Sequence, residues 1–180
     1  TLLYFHFESQ LYNLQIQFYI LLQIAIISIF IPTTVLYLFK TLGLINSIKV
    51  AEISERKLPL FIQILLMSLL ILKSVAIHQI PALYFFFAAG LISTIIAFIL
   101  LFLKVKASLH MIGICALTIF VIGLSIYFQN NSLYLISFLI LMIGCVASSR
   151  LEMKAHSFKE LLYGIIIGAI PQIVMLWYLL

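Results

Sequence analysis

The chain has 180 residues, of which 66% are hydrophobic and 8% are charged, and its formal net charge is +5 at pH 7. A soluble domain of this length needs much more polar surface to cover its exterior, so the composition excludes that class. The apolar runs are continuous rather than alternating, which indicates membrane-spanning helices and not the strands of a barrel. We therefore expect an all-α fold, a polytopic membrane bundle of about six transmembrane helices.

The apolar runs are about as long as the hydrocarbon core requires, which is ~20 residues for a helix, and the fifth is the shortest of them. The runs cover residues 18–39, 58–77, 82–103, 111–128, 133–147 and 161–179. Pro32 lies inside the first run and should kink it, unless a neighbouring helix satisfies the carbonyl group that proline leaves free. We expect a single membrane domain over residues 1–180, in which residues 1–17 are the remnant of an earlier span or a peripheral segment.

The first polar stretch, residues 49–59, follows the first apolar run. Its basic residues permit two interpretations. Loops that flank a membrane span are commonly basic, so these residues fit an ordinary loop. They also fit a phosphate clamp, in which Lys49 and Arg56 converge on one anion through charge-assisted hydrogen bonds.

The second polar stretch, residues 104–110, enters the fourth apolar run. Ser108 is in position to cap the helix that follows, and the unpaired amides and the dipole of a helix start favour a bound phosphate. His110 is then either a functional group beside that anion or a lone histidine at the membrane interface.

The third polar stretch begins near Arg150, where the chain leaves the membrane before it re-enters. On a re-entering helix, His156 and Glu160 share one face, so the carboxylate can hold the imidazole. Gly164 and Gly168 continue this face as a G-x-x-x-G pair, which lets another helix approach closely. A fixed histidine beside an arginine suits a nucleophile or base at an anion site, whereas the alternative is a loop with one chance histidine.

The order of the spans puts the three stretches on one side of the membrane. Two predicted spans, one out and one back, separate Arg56 from Ser108, and two more separate His110 from Arg150. Each pair returns the chain to the membrane face that it left. We therefore expect the polar residues of all three stretches to surround one cavity at the same face.

In this order, the three stretches resemble the three motifs of the type 2 phosphatidic acid phosphatase superfamily. The family contains integral-membrane, metal-independent phosphatases and acid phosphatases, built on a helical bundle. Its first motif has lysine, six residues and arginine; its second is Pro-Ser-Gly-His; its third is Ser-Arg, five residues, His, three residues and an acid. The resemblance extends over residues 49–168, so the phosphatase-like core would cover about residues 40–180.

The chain departs from the family pattern within each motif. Lys57 stands where the family has proline, Ala107 and Leu109 replace the proline and glycine of the second motif, and Glu160 replaces aspartate. The leucine at position 109 is the most important difference, because the glycine of the family motif lets backbone amides approach a phosphate closely.

The resemblance implies metal-independent hydrolysis of a lipid phosphate monoester or pyrophosphate, without any cofactor. The implied phosphate-binding residues are Lys49, Arg56, Ser108 and Arg150. In the implied chemistry, His156 attacks phosphorus to form a phosphohistidine, Glu160 orients His156, and His110 protonates the leaving alcohol.

Two other functions remain open. A catalytically inactive relative would keep the basic pocket to bind phospholipid head groups, or would act as a membrane scaffold. A small transporter would use Lys73 and His78, polar residues in or beside an apolar run, to mark a pathway. Lys73 is better explained by snorkelling, and the sequence shows no inverted repeat of the kind that transporters have.

The basic residues also predict an orientation. Of the ten lysines and arginines, all except Lys73 lie on the side of the three motifs, whereas the loops around Ile80 and Asn130 carry no charge. The positive-inside rule therefore puts the motif side in the cytoplasm, and we expect an integral protein of a bacterial inner membrane. The expected partners are membrane lipids and a lipid phosphate substrate, with no nucleic acid. The sequence specifies neither the lipid nor the oligomeric state.

Overall fold

The computed structural model describes residues 4–5, 13–47, 52–73 and 80–179. Within these ranges the regular structure is helical, without any strand. The helices are α1 (Leu14–Thr41), α2 (Ile53–Lys73), α3 (Pro81–Phe102), α4 (Leu109–Tyr127), α5 (Leu133–Glu152) and α6 (Phe158–Leu179). The expected all-helical architecture is confirmed.

Five of these helices, α1 and α3 to α6, are long and apolar enough to cross a membrane. The α2 helix is also long, with 21 residues, but it begins with a charged segment that contains Glu55 and Arg56. The expected end of the fifth apolar run, residue 147, is wrong, because α5 continues to Glu152 and holds Arg150 in its last turn. Polar residues lower the hydropathy without ending a helix, and a cation is favourable at a helix C-terminus.

Helix α1 accommodates Pro32 through a π-helical turn at Ile26–Phe30. The Ile31 N–H donates to the Ile26 carbonyl oxygen, which is the wider hydrogen-bond spacing of a π-helix. Because proline has no N–H to donate, a local change of spacing lets the helix continue past it. The disturbance expected at Pro32 is therefore absorbed within α1.

Helix α6 packs against both α3 and α4, and α2 packs against α3. Two buried polar side chains bridge α3 and α6. The Ser93 hydroxyl lies 2.8 Å from the Ile167 carbonyl oxygen, and Gln172 Nε2 donates to the Phe86 carbonyl oxygen at 3.0 Å. Polar contacts of this kind add to packing where the surroundings are as apolar as lipid.

Two glycines bring α6 to backbone distance from α4. A Cβ atom on Gly164 would lie 2.8 Å from the Ser108 carbonyl oxygen, and one on Gly168 would lie 2.5 Å from the Ile112 carbonyl oxygen. Backbone atoms in a packed helix pair cannot rotate away as a side chain can. The close approach expected of the G-x-x-x-G pair is confirmed, and it fixes α6 beside the start of α4.

Replacing Gly168 with alanine should destabilise the bundle, because the new methyl group would overlap the Ile112 carbonyl group. Overpacking of this kind costs ~1–3 kcal/mol. We expect a lower midpoint of thermal unfolding in detergent for Gly168→Ala than for the wild type. Gly144→Ala on α5 is the matched control, because a Cβ there has no atom within 4 Å. Equal midpoints for the two variants would contradict this helix contact.

Candidate functional site

The polar stretches at the starts of α2, α4 and α6 meet at one end of the bundle. Arg56 Nη1 donates to the Ala107 carbonyl oxygen at 3.4 Å, which joins the start of α2 to the segment before α4. Lys106 Nζ donates to the Ala155 carbonyl oxygen at 2.9 Å, which joins that segment to the turn before α6. Lys49, the remaining member of the expected phosphate clamp, lies outside the described residues.

His156 and Glu160 are in direct contact, with 2.8 Å between His156 Nδ1 and Glu160 Oε2. The His156 side chain is only 5% exposed. The expectation that both residues lie on one helix is wrong, because α6 begins at Phe158 and His156 precedes it. The contact forms because Glu160 reaches back toward the start of the helix.

The start of α6 is a capping box, which explains how Glu160 is held. Glu160 Oε2 accepts a hydrogen bond from the Ser157 amide at 3.2 Å, and the Glu160 amide donates to Ser157 Oγ at 3.4 Å. This reciprocal pattern satisfies amides that a helix start otherwise leaves unpaired. The oxygen atom that caps the helix is therefore the same one that holds the histidine.

The carboxylate of Glu160 keeps a proton on Nδ1 of His156, so that Nε2 carries the free lone pair. Burial lowers the pKa of His156 from its ordinary value of 6.5, the hydrogen bond with Glu160 opposes this shift, and the charges of Lys106 and Arg56 lower the pKa further. The net shift is downward. The imidazole is therefore neutral at pH 7, which is the form that a nucleophile requires.

Two buried donor atoms at the site, Ser108 Oγ and Arg150 Nε, lack a hydrogen-bond partner within the described part of the chain. Ser108 is the N-cap residue of α4, as its position in the sequence indicated, but its hydroxyl makes no capping hydrogen bond. Its amide instead donates to the Glu160 carbonyl oxygen at 3.2 Å. An unpaired buried donor costs ~1–3 kcal/mol, so a ligand with acceptor oxygens would be stabilised here.

His110 lies in the first turn of α4, beside Leu109. The amides of a first helical turn have no acceptor within their helix, and the dipole at this end favours an anion. The His110 residue is exposed, and Arg150 and Arg56 both interact with it electrostatically. The expected general acid and two of the expected phosphate-binding arginines therefore lie together.

Lys106 also belongs to this cluster, although sequence reasoning gave it no role. Burial lowers its pKa, the nearby charge of Arg56 lowers it further, and Glu160 raises it. Its position in the second polar stretch, two residues before Ser108, was the available signal. Lys106 directly precedes the four residues that resemble the second motif, so the resemblance did not include it.

No three His, Cys, Asp or Glu side chains in the described ranges lie close enough together to hold a metal ion. Comparison of the chain with protein-family models, with curated proteins and with solved structures found no match. The resemblance to the phosphatase superfamily therefore depends on the motif residues and their spacing. The geometry by itself defines a partly buried cluster of cationic side chains and unpaired donors beside an oriented histidine, a chemistry that suits an anionic ligand.

Replacing Lys106 with methionine should raise the pKa of His156, because one of the two cations that oppose protonation of the imidazole is removed. The pKa should be measured by NMR on the histidine rings as a function of pH. Lys104→Met is the matched control, since Lys104 is an exposed lysine in the same segment. An unchanged His156 pKa in Lys106→Met would contradict the electrostatic coupling between the two residues.

Proposed function

We propose that the protein hydrolyses a lipid phosphate monoester or pyrophosphate at this cluster, through a phosphohistidine on His156 and without a metal. The observation that carries the proposal is the contact between His156 and Glu160, 2.8 Å long, beside the unpaired donors of Ser108 and Arg150. A histidine with a free Nε2 and a binding place for an anion are the two parts that phosphoryl transfer to histidine needs.

The phosphate group would be held by donors that surround its oxygens. Arg56 and Arg150 supply guanidinium groups, Ser108 supplies its hydroxyl, and the first turn of α4 supplies amides. Lys106 adds a further cation, and Lys49 is the remaining candidate from the resemblance. Because these donors are fixed by helix starts and by contacts between segments, they need little rearrangement as charge develops on the phosphoryl oxygens.

Catalysis would take place in two steps. Nε2 of His156 attacks phosphorus, the bond from phosphorus to the lipid oxygen breaks, and His110 gives a proton to the departing alkoxide. Water then attacks phosphorus, His110 accepts its proton, and the bond between nitrogen and phosphorus breaks to release inorganic phosphate. Glu160 acts as a positioning residue, since it touches His156 and not the phosphate.

The second candidate function is an inactive relative that binds phospholipid head groups or acts as a scaffold. Two differences from the motifs of the resembled superfamily favour this inactive relative: Leu109 stands in place of glycine, and Glu160 stands in place of aspartate. One observation weighs against the loss of catalysis: Glu160 still reaches His156. A transporter is supported less, because Lys73 is exposed at the end of α2. His78, the other residue of that hypothesis, lies outside the described residues.

We also propose that the site faces the cytoplasm, in a bacterial inner membrane. Lys40 lies in the last turn of α1, and Lys104, Lys154 and Lys159 lie in or beside the segments that form the site, whereas Lys73 ends α2. Cationic residues accumulate on the cytoplasmic side of membrane proteins, which supports this orientation.

His156→Ala should abolish phosphate release, because the proposed covalent intermediate forms on the Nε2 atom that this substitution removes. The measurement is inorganic phosphate released from a panel of phosphatidate, phosphatidylglycerophosphate, a polyprenyl pyrophosphate and lipid A, with and without a chelator. Lys159→Ala, which removes an exposed side chain next to Glu160, is the control and should retain activity. Full activity in His156→Ala would exclude the mechanism, and strong inhibition by the chelator would indicate a metal enzyme.

The pH dependence of kcat/KM should have its acidic limb below 6.5, because neutral His156 is the active form and its pKa lies below that value. In Glu160→Gln the rate should fall, and the limb should move to still lower pH, because the hydrogen bond that raises the His156 pKa is weakened. An acidic limb at or above 6.5 in the wild type would contradict the assignment of His156 as the nucleophile.

A further inference from the structure

An apolar cavity of about 430 Å³ lies between α1, α2, α3, α4 and α6. Its lining includes Pro59, Leu60, Phe87, Leu109, Ile112 and Gln172. The volume falls within the ~300–1,000 Å³ that is usual for small-molecule sites. Most of its wall is hydrocarbon, so the chemistry that it can recognise is apolar.

The cavity adjoins the anion site through two different helices. On α4, Leu109 lines the cavity and stands between Ser108 and His110, which belong to the polar cluster. On α2, Pro59 and Leu60 line the cavity one turn after Arg56, and a turn rises ~5.4 Å. A ligand that reaches from one compartment to the other must therefore be polar at one end and apolar at the other.

We propose that the cavity binds the hydrocarbon chain of the phosphorylated lipid, and that Leu109 is the residue at which the phosphate site ends and the chain site begins. The proposal depends on the anion site of the proposed function and adds a recognition element to it. An amphiphile with a phosphate head satisfies the cationic cluster and the apolar wall together, whereas a free phosphate or a neutral lipid satisfies only one of them.

Under this proposal, the leucine at position 109 has a function that the glycine of the resembled motif could not supply. Glycine would present only backbone at the boundary, whereas the Leu109 side chain offers apolar surface to the first carbons of the chain. Each further methylene of the chain adds van der Waals contacts with the cavity wall. Recognition of the chain should therefore raise kcat/KM steadily with chain length until the cavity is filled.

The kinetic test compares butyl, octyl and hexadecyl phosphate with the full chain reconstituted in detergent. Gly113 and Gly90 line the cavity from α4 and α3, and a Cβ on either has no atom within 4 Å. Gly113→Phe and Gly90→Phe should therefore place a ring in the cavity, and each should lower the ratio of kcat/KM for hexadecyl to butyl phosphate by more than about tenfold. Leu109→Gly should lower the same ratio by a smaller factor.

The matched control is Gly144→Phe, which puts the same ring on α5, away from the cavity, where a Cβ also has no atom within 4 Å. It should leave the ratio unchanged. If both cavity variants keep the wild-type ratio, or if Gly144→Phe lowers it equally, the chain does not bind in the cavity and the proposal is overturned.

A binding test separates this proposal from the proposed function. The probe is a hexadecyl phosphate with a photoreactive diazirine at the chain end, applied without any turnover measurement. Cross-links to cavity residues such as Ile112 and Phe87, reduced in Gly113→Phe, would support the proposal even if no phosphate is released. Cross-links confined to lipid-facing residues, with none in the cavity, would overturn it even in an active enzyme.

Discussion

The close contact between α6 and α4 at Gly164 and Gly168 is the constraint on which the site depends. A side chain at Gly164 would meet the Ser108 carbonyl group, so its absence allows the Ser108 amide to bond to the Glu160 carbonyl oxygen. That bond connects the second polar stretch to the third. The relative position of Ser108 and His156 is therefore set by the packing of α4 against α6. The positions of the segments that contain these two residues depend on that packing.

The capping box adds a second constraint, because one carboxylate oxygen has two tasks. Glu160 Oε2 accepts from the Ser157 amide and contacts His156 Nδ1, so the start of α6 and the orientation of the imidazole are fixed together. Glutamate is the acid that this capping pattern uses at the third helical position. The glutamate that stands where the resembled superfamily has aspartate thus also caps the backbone, and its side chain reaches the histidine.

The sequence predicted the parts of this structure that depend on local patterns. Hydropathy located the helices to within a few residues. The spacing of His156 and Glu160 predicted their contact, although His156 lies in the turn before α6 and not in the helix. The end of α5 was missed because Arg150 lowers hydropathy while it still completes a helical turn. The site role of Lys106 was missed because it arises from contacts with Ala155 and Arg56, which lie far away in the sequence.

The charges and unpaired donors of the cluster make it costly to the stability of the free protein. The positive charges of Arg56 and Lys106 repel each other, and Arg150 Nε is buried without a hydrogen-bond partner among the described residues. Such an arrangement is unfavourable without an anion, since like charges repel and unpaired buried donors lose their hydration. Helix packing holds these groups in place before any ligand arrives. Under the proposed function, phosphate oxygens would pair with these groups and offset that cost, so that helix packing would prepare the cluster for an anion before it binds.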